Sequence, residues 1–149
     1  MQHGFFHPDN GYWQTNTYPA EKYRSAYPEG YVEVPLKPSQ HHHYTGTEWV
    51  EVLPPEVDRL THKIELETVR DGDTFSYSYK VVELPLEVAE KGVRAKRTAL
   101  IAETDWIVPY YLERGEAVPT EWQTYRQALR DIPAQEGFPY SVIWPAKPE

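Results

Sequence analysis

Two stretches near the C-terminal end decide the fold: RAKRTALIAETDW at residues 94–106 and EWQTYRQALRDIPAQEGFPYSVIWPAKP at residues 121–148. In the second stretch large apolar side chains recur at helical spacing and share one face. They are Trp122, Tyr125, Leu129 and Ile132. Pro133 ends this helix, because proline cannot continue the backbone hydrogen-bond ladder. Its start is predicted at Thr120, as an N-cap residue with Gln123 completing a capping box.

A preceding helix is predicted over residues 86–104, where a loose apolar stripe repeats every three to four residues. The stripe consists of Leu86, Ala89, Val93, Leu100 and Ile101. Residues 107–118, which contain Pro109 and Gly115, are predicted to form a loop. Two helices and an extended exit strand then bury a set of aromatic rings between them. The predicted members of this core are Trp106, Trp122, Tyr125, Phe138 and Trp144.

The first half of the chain is typical of short strands separated by turns. Asn10-Gly11 favours a hairpin that folds residues 5–7 back against residues 12–14. Further strands are predicted at residues 31–34, ending at Pro35, and at residues 48–52.

Residues 62–82 carry the firmest hairpin pattern. Asp71-Gly72 suits a two-residue type I′ turn and pairs Arg70 with Asp73. Counting outward places six side chains on one face, which is therefore the predicted core face. These are Ile64, Leu66, Thr68, Phe75, Tyr77 and Tyr79. The fold class is therefore predicted as α+β.

The predicted organisation has two parts. Residues 1–83 form a small antiparallel β-sandwich-like domain, and residues 84–149 form a helical αα-hairpin domain with an extended tail. The chain of 149 residues is long enough for one domain or two small ones.

Composition excludes several classes of function. The net charge is −8 and neither half has a basic stripe, which argues against a nucleic-acid partner. The absence of cysteine excludes disulfides and thiolate metal sites. No apolar run is long enough to span a bilayer, so no membrane association is expected. No glycine-rich phosphate loop occurs, so nucleotide hydrolysis is not expected either.

The two stretches quoted above, with AETDW, YRQALRDI and GFP…WP in order, resemble the C-terminal signature of the phage tail fibre assembly chaperones. The resemblance covers about 55 residues. It implies a protein that binds the distal part of a tail fibre and assists its folding and trimerisation. It further implies action in the host cell cytoplasm during phage assembly, no enzyme activity, no cofactor and a 3:3 complex with a trimeric fibre.

The fibre-binding surface is predicted on the N-terminal part, which holds more aromatic side chains than a small β core can bury. Its candidate residues are Tyr12, Trp13, Tyr18, Tyr23, Tyr27, Tyr31 and Tyr44. Basic side chains on the helices are candidates for self-association or partner contact, or else form solvated helix faces. The four that we single out are Arg94, Arg97, Arg126 and Arg130.

Three other interpretations stay open at this point. His41 and His43 point the same way in an extended segment and could chelate a metal, although an exposed polar connector is the favoured interpretation and no metal site is predicted. The protein could be a baseplate or fibre-tip subunit that stays on the virion. It could also be a carbohydrate-binding module, given the exposed aromatic rings. No residue constellation supports a hydrolase.

Overall fold

The computed structural model describes residues 1–16 and 25–149, in which antiparallel strands in small sheets precede helices. This confirms the predicted α+β class. The chain divides into two compact units, Met1–Glu56 with Ile64–Lys80 and Val57–Lys63 with Val81–Glu149. This division does not test the predicted domain boundaries at 1–83 and 84–149, which stay a prediction.

The first unit is built on a three-stranded antiparallel sheet. Its strands are β1 (His3–His7), β2 (Gly11–Thr15) and β3 (Val32–Val34), and β1 lies in the centre in the order β2-β1-β3. Phe5 pairs with Trp13 in the β1–β2 ladder, as the hairpin prediction requires. β3 ends directly before a proline, where the lost backbone N–H prevents further pairing.

The β1–β2 turn follows from its sequence, Pro8-Asp9-Asn10-Gly11. Pro8 supplies the fixed φ that the second position of a turn needs, and the amide of Asn10 donates to the carbonyl of His7 over 3.2 Å. Gly11 then adopts a φ of 75°, which glycine reaches without steric cost. A turn followed by a left-handed glycine is the usual three-residue hairpin loop.

A second, two-stranded sheet contains β4 (His42–Tyr44) and β5 (Trp49–Glu51), paired antiparallel. β5 confirms the strand predicted at residues 48–52. Two of the three consecutive histidines lie in β4, so this segment is a strand and not only a connector.

The third sheet is the long hairpin of β6 (His62–Asp71) and β7 (Thr74–Glu83). The predicted turn is off by one residue, because Gly72 and Asp73 lie between the strands instead of Asp71 and Gly72. Gly72 has a φ of 60°, whereas no described non-glycine residue has a positive φ. Glycine at the first central position alone is the pattern of a type II′ turn, which competes with type I′ at such a sequence.

The alternation of faces along β7 is as predicted. Phe75, Tyr77 and Tyr79 are half-buried, and the side chains between them are exposed. On β6, however, Leu66 is exposed. On the predicted core face of the hairpin, the side chains of β7 are therefore better buried than those of β6.

The second unit contains three helices, α1 (Leu86–Ala102), α2 (Ile107–Glu113) and α3 (Thr120–Asp131), followed by a 3-10 turn at Ile132–Ala134. α1 and α3 confirm the two predicted helices. α3 begins one residue earlier than its predicted cap implies: Pro119 is the N-cap and no side chain caps the helix. The side-chain Nε2 of Gln123 instead donates to the carbonyl of Val118 over 2.7 Å.

Helix α2 lies where a loop was predicted from Pro109 and Gly115. Pro109 is the third residue of α2, where amide groups have no intrahelical acceptor and a proline costs nothing. Gly115, with a φ of 68°, lies just after the helix. Its amide donates to the carbonyl of Leu112, and the amide of Glu116 donates to the carbonyl of Tyr111. Both bonds belong to a Schellman termination, so these two residues bound a helix here.

The core of the second unit lies between α1, α3 and the extended tail. Val93, Tyr125, Leu129 and Ile132 are buried at its centre. Three of the predicted aromatic rings, those of Trp122, Phe138 and Trp144, pack around it. The prediction for Trp106 was wrong: its side chain is 56% exposed, because α2 starts there and turns Ile107 inward instead.

Leu129→Ala is expected to lower the free energy of unfolding by about 2–5 kcal/mol, since Leu129 is fully buried and its removal leaves a cavity. Leu112→Ala is the matched control, because Leu112 is 76% exposed and its loss should change stability by less than about 0.5 kcal/mol. Urea unfolding followed by far-UV circular dichroism measures both. Equal effects of the two substitutions would contradict the described core.

Candidate partner-binding surface

Four aromatic rings form one cluster in the first unit. The Phe5 side chain is 1% exposed and lies within 6 Å, centroid to centroid, of Trp13, Tyr27 and Tyr31. The rings of Tyr27 and Tyr31 also meet each other edge to face at 5.1 Å. Phe5 therefore anchors three half-buried rings, each of which keeps part of its surface toward solvent.

The cluster borders an open groove of about 330 Å³, lined by Asn10, Trp13, Ala26, Tyr27 and Pro28. We call this the aromatic groove. Its lining of two aromatic rings, an alanine, a proline and one amide side chain resembles a protein contact surface more than a catalytic pocket, because no carboxylate, imidazole, lysine or arginine lines it. Trp13 lies on β2, which among the described residues pairs only with β1. The groove therefore lies next to the outermost described strand of this sheet.

The predicted tyrosines separate into different environments. Tyr27 lines the aromatic groove together with Trp13, and Tyr31 packs in the same ring cluster without lining the groove. Tyr12 lies on the opposite face of β2, where its ring meets Trp49 edge to face at 4.8 Å. Tyr18 and Tyr23 lie outside the described residues.

Tyr44 lies in a third environment. Its side chain is only 9% exposed and packs with Phe6 and Val34 in the core of the first unit. Its hydroxyl donates to the carbonyl of Thr47. It was a candidate because the chain has more tyrosines than a small β core can bury, but alternation along β4 turns its ring inward. Contact between Tyr44 and a partner stays a prediction.

The arginines predicted for partner contact include one that serves the fold. The guanidinium of Arg126 donates to the carbonyl of Ile101, to the hydroxyl of Thr104 and to the carboxylate of Asp105, over 3.2, 2.5 and 2.9 Å. Its side chain is only 11% exposed. Arg126 thus joins α3 to the end of α1, and its predicted contact with a partner stays a prediction.

The other three arginines differ in accessibility. Arg94 lies on the ring of Phe138, with its guanidinium carbon 5.1 Å from the ring centre, and also reaches Glu90. Arg97 is half-buried, and its Nε atom has no hydrogen-bond partner among the described residues. Arg130 is exposed on α3. All three therefore stay candidates for contact with a partner, and Arg94 and Arg130 are the more exposed.

Helix α2 exposes an apolar surface that sequence reasoning missed. Trp106, Tyr110 and Leu112 are all exposed, and the first two rings meet edge to face. Arg114 donates to the hydroxyl of Tyr110 and lies over its ring. The apolar run IVPYYL at residues 107–112 indicates this surface in the sequence. Because this segment was predicted as a loop, the helical spacing that places its side chains together was not considered.

One ring nitrogen of the histidine segment is buried, the Nε2 atom of His43. His43 stacks on Tyr77 with ring centres 4.8 Å apart, and its Nε2 atom has no hydrogen-bond partner within the described part of the chain. Burial lowers the pKa of His43, and the charges of Lys37, His41 and His42 lower it further. Burial likewise raises the pKa of Tyr77. Across residues 1–16 and 25–149, no group of three metal-ligating side chains comes together.

No helix within residues 1–16 and 25–149 combines the length and the apolar composition that a membrane span needs.

The second unit therefore consists of helices joined by the hydrogen bonds of Arg126 and an extended tail. Residues 90–149, most of this unit, match the family model described as phage tail assembly chaperone protein. Searches of curated proteins and of solved structures gave no match. The family match supports a chaperone role in phage tail assembly, which is a non-catalytic role.

The Arg126 contacts yield a stability prediction. Arg126→Met keeps much of the apolar stem but leaves the buried hydroxyl of Thr104 and the carbonyl of Ile101 without their donor. We expect a loss of about 1–3 kcal/mol in unfolding free energy, measured by urea unfolding. Arg130→Met, on the exposed side of the same helix, is the control. A stability of Arg126→Met equal to that of the control would refute the structural role.

His43 makes stability depend on pH. Because its folded-state pKa lies below its ordinary value of 6.5, the unfolded chain binds the proton more readily. The stability that neutral His43 contributes is therefore present above about pH 6.5 and is lost as the pH falls below it. The melting temperature should rise from about pH 5.5 to about pH 7.5, and less steeply in His43→Phe, which keeps the stacking on Tyr77. Equal slopes in both proteins would contradict this linkage.

Proposed function

We propose that the protein is a tail fibre assembly chaperone that binds the distal part of a phage tail fibre and assists its folding and trimerisation. The match of residues 90–149 to the tail assembly chaperone family supports the chaperone role. The choice of the fibre as partner is supported by the aromatic groove beside β2, which within residues 1–16 and 25–149 pairs with β1 alone. This groove is the single observation that carries the proposal.

The physical task is to cover surface that a fibre subunit exposes before its trimer forms. Unpaired strand edges and apolar side chains on such an intermediate lead to aggregation. A strand of the fibre added at β2 makes backbone hydrogen bonds that do not depend on side-chain identity. Trp13 and Tyr27 then contact its side chains with large rings that lose little conformational entropy. Release follows when the fibre subunits pair with each other.

The proposed assembly has one chaperone for each fibre chain. A fibre trimer offers three equivalent edges, so the simplest closed complex is 3:3. Arg94 and Arg130, both exposed on the second unit, are available for contacts between chaperones or with the fibre. The complex forms in the host cell cytoplasm during phage assembly, without a cofactor and without nucleotide hydrolysis.

Co-expression with a tail fibre protein encoded in the same genome tests the groove. Ala26→Glu puts a carboxylate on the groove wall without removing any ring from the Phe5 cluster. Burying an unpaired charge against a partner is costly, so we expect at least a tenfold loss of co-purified fibre and fewer fibre trimers on a denaturant-free gel. Ala117→Glu introduces the same charge at an exposed position outside the groove and should leave both readouts unchanged.

Two outcomes would overturn the proposal. One is a fibre that trimerises to the same extent without the chaperone and never co-elutes with it. The other is equal capture by Ala26→Glu and wild type. Mass spectrometry of purified virions distinguishes an assembly chaperone from the alternative, a baseplate or fibre-tip subunit. Such a subunit would be present in stoichiometric amount on the particle.

A further inference from the structure

A second cavity lies on the face of the β2-β1-β3 sheet opposite the aromatic groove. It is partly enclosed and has a volume of about 190 Å³. The rings of Phe6, Tyr12, Trp49 and Tyr77 form much of its wall, and Lys37 and His43 contribute its basic groups. Its volume is below the range of roughly 300–1,000 Å³ that drug-sized ligands need, so it fits a group the size of one side chain.

The polar groups on its aromatic wall are already engaged. The hydroxyl of Tyr12 accepts from the amide of Lys37, and that of Tyr77 donates to the carbonyl of Tyr44. The indole N–H of Trp49 donates to the carbonyl of Pro35 over 3.0 Å. These wall residues therefore present mainly ring surface to anything that enters.

Two groups of the cavity keep hydrogen-bonding capacity. The Nε2 atom of His43 is buried, and no described residue bonds to it. A buried polar atom left without a partner is destabilising, so a ligand that supplies one is favoured. Lys37 has no carboxylate partner among residues 1–16 and 25–149. Its charge acts on His43, because it is one of the causes that lower the pKa of that imidazole.

The charge of the site identifies the class of ligand. His42 lines the cavity together with Lys37 and His43, so the side chains that can carry charge here are all basic, in a chain whose net charge is −8. An anion is therefore attracted to this cavity and repelled by most of the remaining surface. A carboxylate fits better than a phosphate, because it is planar, carries one charge and needs only two donors between aromatic walls.

We propose that this cavity binds one carboxylate group of a partner polypeptide, with the Lys37 ammonium group and the His43 imidazole as its two donors. The aromatic walls exclude water and so strengthen both contacts. That the partner is the tail fibre rests on the function proposed above, whereas carboxylate binding itself does not.

Titration of the whole chain, labelled with ¹⁵N, tests the binding. Sodium propionate represents a side-chain carboxylate, N-acetylglycine represents a chain terminus, and propionamide is the neutral control. We expect a saturable shift of the His43 ring-nitrogen resonances with the carboxylates and none with propionamide. The tighter of the two carboxylates identifies the source of the group. Equal shifts with propionamide, or a linear drift that sodium chloride reproduces, would overturn the proposal and leave ordered water as the partner of His43.

Variants then separate the two donors from the rest of the surface. Lys37→Met and His43→Phe keep the size of their side chains but remove the ammonium group and the ring nitrogens. Each should raise the dissociation constant for the better carboxylate at least fivefold. Lys91→Met removes an exposed charge on α1 and should leave it unchanged. An unchanged constant in both Lys37→Met and His43→Phe, with melting temperatures near wild type, would exclude this site.

Co-purification with the fibre keeps the two proposals distinguishable. If wild type captures the fibre and the double variant Lys37→Met/His43→Phe captures at least fivefold less, the fibre supplies the carboxylate. If both capture it equally, this cavity does not contact the fibre and the inference about the partner is wrong, although the function proposed from the groove stands. If wild type captures no fibre but still binds propionate, the function fails and the carboxylate site stands.

Discussion

Two consecutive phenylalanines on the central strand of one small sheet impose the main constraint on the first unit. Successive side chains of a strand point to opposite faces, so Phe5 and Phe6 on β1 must each be covered by a different layer. Phe5 is covered by Trp13, Tyr27 and Tyr31, and Phe6 by the rings of Tyr44 and Phe75. The sheet thus becomes aromatic on both sides. The aromatic groove borders the rings around Phe5, and the cavity lined by Lys37 and His43 borders the rings around Phe6. Both candidate surfaces therefore depend on this one strand.

The second unit depends on a different interaction, the three hydrogen bonds of Arg126. They join the YR pair of α3 to the TD pair that follows α1, so two separated parts of the signature sequence meet in one contact. The tail is held in a similar way: Gln135 donates to the carbonyl of Ile143 and accepts from its amide. Much of the matched signature therefore maintains the fold of this unit. A signature of this kind indicates the class of protein, but it does not identify the surface that binds the partner.

Local chemistry explains which elements were predictable. Turn residues, strand alternation and the 3.6-residue stripe are properties of short segments, and they gave β1 with β2, β5, α1 and α3 correctly. The errors arose where one local signal has two structural meanings. Pro109 and Gly115 punctuate loops, but they also occupy the first turn and the termination of a helix. Gly72 suits either of two hairpin turns, and the choice moved the turn by one residue.

The sequence by itself determined the α+β class, the two main helices, the strands other than β4 and the resemblance to chaperones of tail assembly. These follow from periodicity and from motifs, which need no knowledge of distant contacts. Only the tertiary structure decided which aromatic rings are available: Tyr44 is buried, Trp106 is exposed, and Trp13, Tyr27 and Tyr31 gather around Phe5. The tertiary structure also decided that the Arg126 guanidinium joins α3 to the end of α1. It places Lys37 and His43 in the lining of one cavity. The reason is physical: burial and hydrogen-bond partners depend on which residues meet across the fold, and those pairs lie far apart in the sequence.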